Sequence, residues 1–197
     1  MDQATRTGGK LDTSAGKQYR TLTLEAFADT FVPGAKREPG DIAVAGAAAG
    51  PGAVAAGAIE LLETPATGIA SDLDDLAHGL NGHASDYADE HGLVLDTSVP
   101  PFVALEFAHR TALIQALTDP GHPEKEFWIL TALFCFMAFD TAAHMDTVSA
   151  VANGHPGLKT MGFATPDADG LWRFPDFSYR RQLARIHPHT TASGDPA

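Results

Sequence analysis

The chain of 197 residues contains a single cysteine, Cys135. Without a second thiol there is no internal disulfide, no Cys-rich zinc site and no Cys-x-x-Cys-His haem attachment. Cations are also scarce: 13 Lys and Arg stand against 25 Asp and Glu, a formal net charge of −12. No Lys or Arg occurs between Arg37 and Arg110, whereas twelve acids fall between them, from Glu38 to Glu106. Such a block repels phosphate, which argues against nucleic-acid or anionic-membrane partners. Long apolar runs are missing as well. The longest, Phe127–Phe139, is interrupted by Thr131 and falls short of the roughly 20 residues that a membrane span needs. Residues 1–20 show neither an apolar secretory core nor an Arg pair, so the expected location is cytoplasmic, with export alongside a signal-bearing partner left open. Phosphate-binding loops are absent too. Gly46, Gly50 and Gly52 lie near one another, but without the dinucleotide spacing and without a Gly-Lys-Ser/Thr.

What is present suits one domain, since 44% of the residues are hydrophobic. The expected fold is all-α, a single bundle of about five helices over residues 21–153. A disordered lead-in (1–20), an extended arm (154–189) and a disordered tail (190–197) complete the expected organisation. A first helix starts near Thr23 and stops at Pro33-Gly34. The Ala/Gly-rich stretch 42–57 favours helix until Gly50-Pro51 breaks it, and a second segment runs on to about Glu63. Its small side chains let backbones approach closely. Ser71 with Asp74 reads as the cap of a third helix, in which Leu73, Leu76, Ala77, Leu80, Ala84, Tyr87 and Ala88 form an apolar stripe opposite an acidic face. A fourth helix runs from Pro101 to Leu117. The fifth begins at Pro123, is apolar nearly all round, and is expected to be the central helix, reaching His144 or Val151.

Few side chains combine into a chemical motif. Glu106-x-x-His109 puts two metal ligands on one helix face, and Asp140-x-x-x-His144 does the same. Together they supply a reduced version of the di-iron carboxylate set, which uses two Glu-x-x-His pairs and two more glutamates. That defines the alternative function, a free-standing di-iron or manganese-like helical-bundle enzyme. The competing reading has Asp140 paired with His144, and Glu106 with Arg110 at i,i+4. Cys135, between Phe134 and Phe136, reads as inert packing. No residue takes a catalytic role. In the arm, Trp172, Phe174, Phe177, Tyr179, Arg180 and Arg181 are the residue types enriched at interface hot spots. They are the candidate partner-binding residues, and the arm packs either on its own body or on a partner.

Three segments carry a family resemblance. Leu22-Thr-Leu-Glu-Ala-Phe-Ala-Asp-Thr-Phe-Val-Pro-Gly34 is similar to an opening helix with its Val-Pro exit. Ala49-Gly-Pro-Gly-Ala-Val-Ala-Ala-Gly-Ala-Ile-Glu-Leu-Leu62 resembles a Gly/Ala-rich turn and helix. His155-Pro-Gly-Leu-Lys-Thr-Met-Gly-Phe163 resembles a late Pro-to-Gly turn. These resemble the small subunit (subunit 3) of the gluconate 2-dehydrogenase family. The resemblance implies a non-catalytic accessory subunit that binds and stabilises the large subunit of a glucose–methanol–choline-type flavin oxidoreductase. FAD and alcohol or sugar oxidation then belong to the partner, with no cofactor on this chain.

Overall fold

The computed structural model describes residues 13–163 and His189. Among the described residues there are eight helices and no strand. They are α1 (Thr13–Phe31), α2 (Ala58–Leu62), α3 (Leu73–His91), α4 (Pro101–Ala104), α5 (Phe107–Leu117), α6 (Lys125–Thr141), α7 (Thr147–Ala152) and α8 (Pro156–Thr160). All belong to one unit that ends at Gly162; the chain from Phe163 onward forms a second. Four helices are long, and they make the all-α bundle that the apolar periodicities predict.

The helix enclosed by the others is α1, which touches α2, α3, α4, α5 and α6. Every residue from Thr23 to Asp29 is buried. Phe27 packs its ring against Phe31 and Trp128, and Leu24, Phe102, Leu62, Leu73 and Leu80 complete the fully buried centre. Each such side chain contributes about 1.5–3 kcal/mol by leaving water. The expectation that α6 is central is therefore corrected. An apolar helix need not be covered on all sides, and α6 is not.

α1 also begins ten residues earlier than the expected start at Thr23, within the segment read as a disordered lead-in. Residues 14–19 are exposed, so packing does not hold them. Once the buried half forms, each further residue adds a hydrogen bond without a new nucleation cost.

The Ala-rich segment 42–57 is not helical, and only Ala58–Leu62 continues as helix. Its backbone groups are taken by distant side chains instead. Asp29 accepts the N–H of Gly34 at 3.2 Å and of Ala45 at 2.8 Å, and Arg110 donates to the carbonyl of Ala43 at 2.6 Å. The small side chains do permit close approach. A Cβ on Gly52 would lie 2.5 Å from the Val32 carbonyl oxygen, where Ala53 N–H already bonds at 2.9 Å. Glycine is thus required on both sides of the Pro33-Gly34 and Pro51-Gly52 contact.

The single helix expected from Pro101 to Leu117 is two. Leu105 and Glu106 are extended, with ψ of 137° and 153°. Arg110 accounts for the break. Its guanidinium binds the carbonyls of Val103 (2.6 Å) and Leu105 (2.9 Å), oxygens that a continuous helix turns toward its own N–H groups. α3 matches its expected stripe, with Leu73, Leu76, Ala77, Leu80, Ala84 and Ala88 buried. Its cap is Asp72, whose side chain makes no capping bond, rather than Ser71.

α6 stops at Thr141, short of His144. Ala142 takes a left-handed conformation (φ 52°) and its N–H closes on the Met137 carbonyl. α7 follows as a separate short helix, and α8 folds within the segment expected to start the arm. His155 caps α8, accepting the Leu158 N–H at Nδ1 and donating from Nε2 to the Ala56 carbonyl at 2.9 Å. Gly157 lies against the Phe139 carbonyl, where no Cβ fits. The arm's first residues are therefore part of the helical body.

Candidate functional site

The two metal-ligand pairs do not converge. Glu106 caps α5 from an exposed position, and His109 Nδ1 lies 3.1 Å from the Tyr87 hydroxyl. Because α6 ends at Thr141, His144 leaves the face on which Asp140 sits. Its ring instead covers Gly57, where a Cβ would come within 2.5 Å, and stands 5.6 Å from the His155 ring. Burial and the neighbouring His155 push the His144 pKa down, which favours the neutral imidazole. Among the described residues no three His, Cys, Asp or Glu are grouped to hold a metal ion. Helical spacing alone suggested Asp140 and His144 on one face. The left-handed Ala142, which carries no glycine signal in the sequence, separates them. Arg110 likewise does not pair with Glu106, because it turns inward to backbone carbonyls.

Cys135 is fully buried, and desolvation pushes its thiol up to about 12, so it is held as a packed thiol. Two of the three histidines of α3 have side-chain partners. His83 Nε2 lies 2.9 Å from Glu124, and His91 stacks on Tyr87 with ring centroids 4.0 Å apart.

Two polar assemblies stand at the loops, one buried and one part-buried. Arg110, only 4% exposed, donates to four carbonyls, those of Leu105, Val103, Ala43 and Ile42. Arg37 forks between Glu25 (2.5 and 2.8 Å) and Asp41 (2.6 and 3.2 Å). Burial would raise Asp41, but the Arg37 guanidinium and the Val44 N–H more than offset it and hold the carboxyl at about 2. Asn81 adds a third tie: it donates to Thr23 Oγ1 and accepts the Phe102 N–H, joining α1, α3 and α4. All three serve the fold, since their partners are other parts of the same body.

Among the described residues, an exposed apolar face lies on α6. Trp128, Thr131, Ala132, Cys135 and Ala138 recur at i, i+3, i+4, i+7 and i+10 and face the core. Ile129, Leu130, Leu133 and Phe136 occupy another face and are 40–49% exposed. Phe136 makes an edge contact with Phe31, ring centroids 6.0 Å apart. Exposed Glu126 and Asp140 mark the two ends of this stripe. α6 is thus apolar on its core side and again on its solvent side. The sequence signal was the all-round apolar character of 127–139, read there as burial. The other partner-binding candidates, Trp172, Phe174, Phe177, Tyr179, Arg180 and Arg181, lie outside the described residues.

The model for the Family of unknown function (DUF5987) matches residues 18–197. The chain belongs to DUF5987. No curated protein matches this DUF5987 chain, and no solved structure does. The family match spans all eight helices except the first five residues of α1, so it includes both the core side and the solvent side of α6.

Proposed function

We propose that this DUF5987 chain is a non-catalytic subunit that binds and stabilises the large subunit of a flavin-dependent alcohol- or sugar-type oxidoreductase, with FAD held by the partner. The observation that carries the binding role is the exposed apolar stripe Ile129, Leu130, Leu133 and Phe136 on a helix whose other side is core. The partner's class comes from the resemblance of the Leu22–Gly34, Ala49–Leu62 and His155–Phe163 segments to gluconate 2-dehydrogenase small subunits. Two of those segments supply the Gly34–Gly52 backbone contact, and the third supplies α8 and its seat on α6. They build the body that presents the stripe. The aromatic and basic residues from Trp172 to Arg181 act as a second docking element. The complex works in the cytoplasm, or outside it when the partner carries the export signal.

The test is recovery of the tagged chain from its native host. A flavoprotein should co-purify and bring bound flavin absorbance with it. Leu133→Asp and Phe136→Asp place charge on solvent-exposed positions, so the chain should stay folded by circular dichroism while the flavoprotein is lost. Recovery of the wild-type chain with no flavoprotein attached, or equal yields from wild type and both variants, would overturn the reading.

A further inference from the structure

We infer that the recess between the first turns of α3 and α6 binds a small organic ammonium, an aryl- or alkyl-substituted primary amine. The recess has a volume of about 380 Å³ and is lined by Asp72, Asp75, Leu76, Gly79, Glu124, Phe127 and Trp128, within the size range of small-molecule sites. Leu76 and Trp128 are buried and Phe127 half-buried, so the floor is apolar and aromatic, while Asp72, Asp75 and Glu124 are exposed at its rim. Carboxylates in first helical turns are ordinary, because they complement the helix dipole. That accounts for acids at these positions, but not for three of them around an apolar recess.

The basic side chains beside Glu124 are two histidines, His83 and His122. Arg20, the nearby guanidinium, is engaged by Glu63 at 2.5 Å and by Asp74 at 3.5 Å. Among the described residues no Lys or Arg pairs with Asp72, Asp75 or Glu124. Glu124 Oε2 accepts the Trp128 indole N–H at 3.1 Å and lies 2.9 Å from His83 Nε2. A bare metal ion is the wrong ligand, since these side chains do not come together as a metal-holding group. A cation carried on an apolar body fits both halves of the recess: the ammonium meets the rim, and the body meets Leu76, Phe127 and Trp128. Aromatic faces add attraction for the cationic end.

This inference goes beyond the docking role and stands apart from it, because it is tested on the full chain alone. Titration of the ¹⁵N-labelled protein with 2-phenylethylammonium chloride should give saturable shifts at the Trp128 indole N–H and the Gly79 amide. The Trp172 indole, assigned with Trp172→Phe, serves as the control. The neutral isostere 2-phenylethanol should bind at least about tenfold more weakly, and Asp75→Asn and Glu124→Gln should each weaken ammonium binding about fivefold. Asp75 is exposed and makes no bond that the fold needs, so Asp75→Asn keeps the test valid if Glu124→Gln is unstable. Equal binding of the alcohol, shifts that never saturate, or an affinity unchanged in Asp75→Asn would overturn the inference.

Discussion

Replacing Arg110 by Met should cost the domain about 4 kcal/mol, and the origin of that figure lies in the partners. Buried ion pairs are often replaceable by apolar groups at little cost, because both charges are removed together. Here the partners are backbone carbonyls of residues 42, 43, 103 and 105, which no side-chain substitution removes. Three of the four contacts are 2.6–2.9 Å long and one is 3.5 Å. A hydrogen bond from a charged donor is worth about 1.5–3 kcal/mol, and an unsatisfied buried oxygen costs about 1–3. Partial relaxation and water entry bring three such losses down to about 4 kcal/mol. Lysine, with one compact ammonium, reaches fewer of the oxygens and should lose about half as much. For a domain of this size 4 kcal/mol lowers Tm by about 8–16 °C. Urea unfolding followed by helical circular dichroism measures the loss. Hydrogen exchange at the Ala45 amide, which bonds to Asp29 in the same loop, should speed up in Arg110→Met before global unfolding. A loss under about 1 kcal/mol, or an Ala45 amide as protected as in the wild type, would show that the guanidinium does not hold the loop.

Four further outcomes follow from the same geometry. Asp41 is held at about 2 against an ordinary 3.8, so its stabilisation is present above pH 4 and is lost as pH falls from about 4 toward 2. Arg37 is 40% exposed at its side chain, so the effect is about 1–2 kcal/mol, and Arg37→Ala should flatten the acid limb of the stability profile. Asp29, raised by burial, works in the opposite sense, favouring the folded state less as pH rises through its folded value. Gly157→Ala drives a methyl into the Phe139 carbonyl and should destabilise by about 2–3 kcal/mol, whereas Gly16→Ala, on the open side of α1, should stabilise by about 0.5–1 kcal/mol in the same melts. Cys135 should resist a thiol reagent in the native state and titrate as one thiol in denaturant. Charge reversal at Asp74, Asp75, Asp86 and Glu90 should slow association with the flavoprotein at low salt while leaving dissociation unchanged, which distinguishes a steering face from a contact face.

The helices that packing dictates were legible from their periodicity. In α3 the apolar residues return every three or four positions, and that stripe is the one buried. What escaped the sequence depends on side chains reaching backbone far away in the chain. Nothing local marks Arg110 as the residue that breaks the helix at Leu105 or pins Ala43, 67 positions distant. The alanines of 42–57 carry helix propensity that a few tertiary bonds override, because propensity differences are fractions of a kcal/mol per residue. Ala142 is similar. Its left-handed turn occurs without glycine, and that one residue removes His144 from the face where Asp140 stays, dissolving the metal set that spacing suggested.

α6 shows how the reading of function turns on one distinction. A composition that is apolar all round fits a helix enclosed by its own fold and a helix shared between two chains equally well. Within this body the enclosed role is already filled by α1, whose residues from Thr23 to Asp29 are all buried. Among the described residues, the second face of α6 stays partly exposed. Ile129, Leu130, Leu133 and Phe136 at 40–49% exposure are a standing cost in water that association removes. The acidity of the chain fits the same arrangement. A net charge of −12, with Asp74, Asp75, Asp86, Asp89 and Glu90 exposed on α3, keeps such molecules apart from one another through like-charge repulsion. If the proposed docking role holds, an apolar stripe on a strongly anionic body favours a partner that brings cations to the rim of the contact over a second copy of the chain.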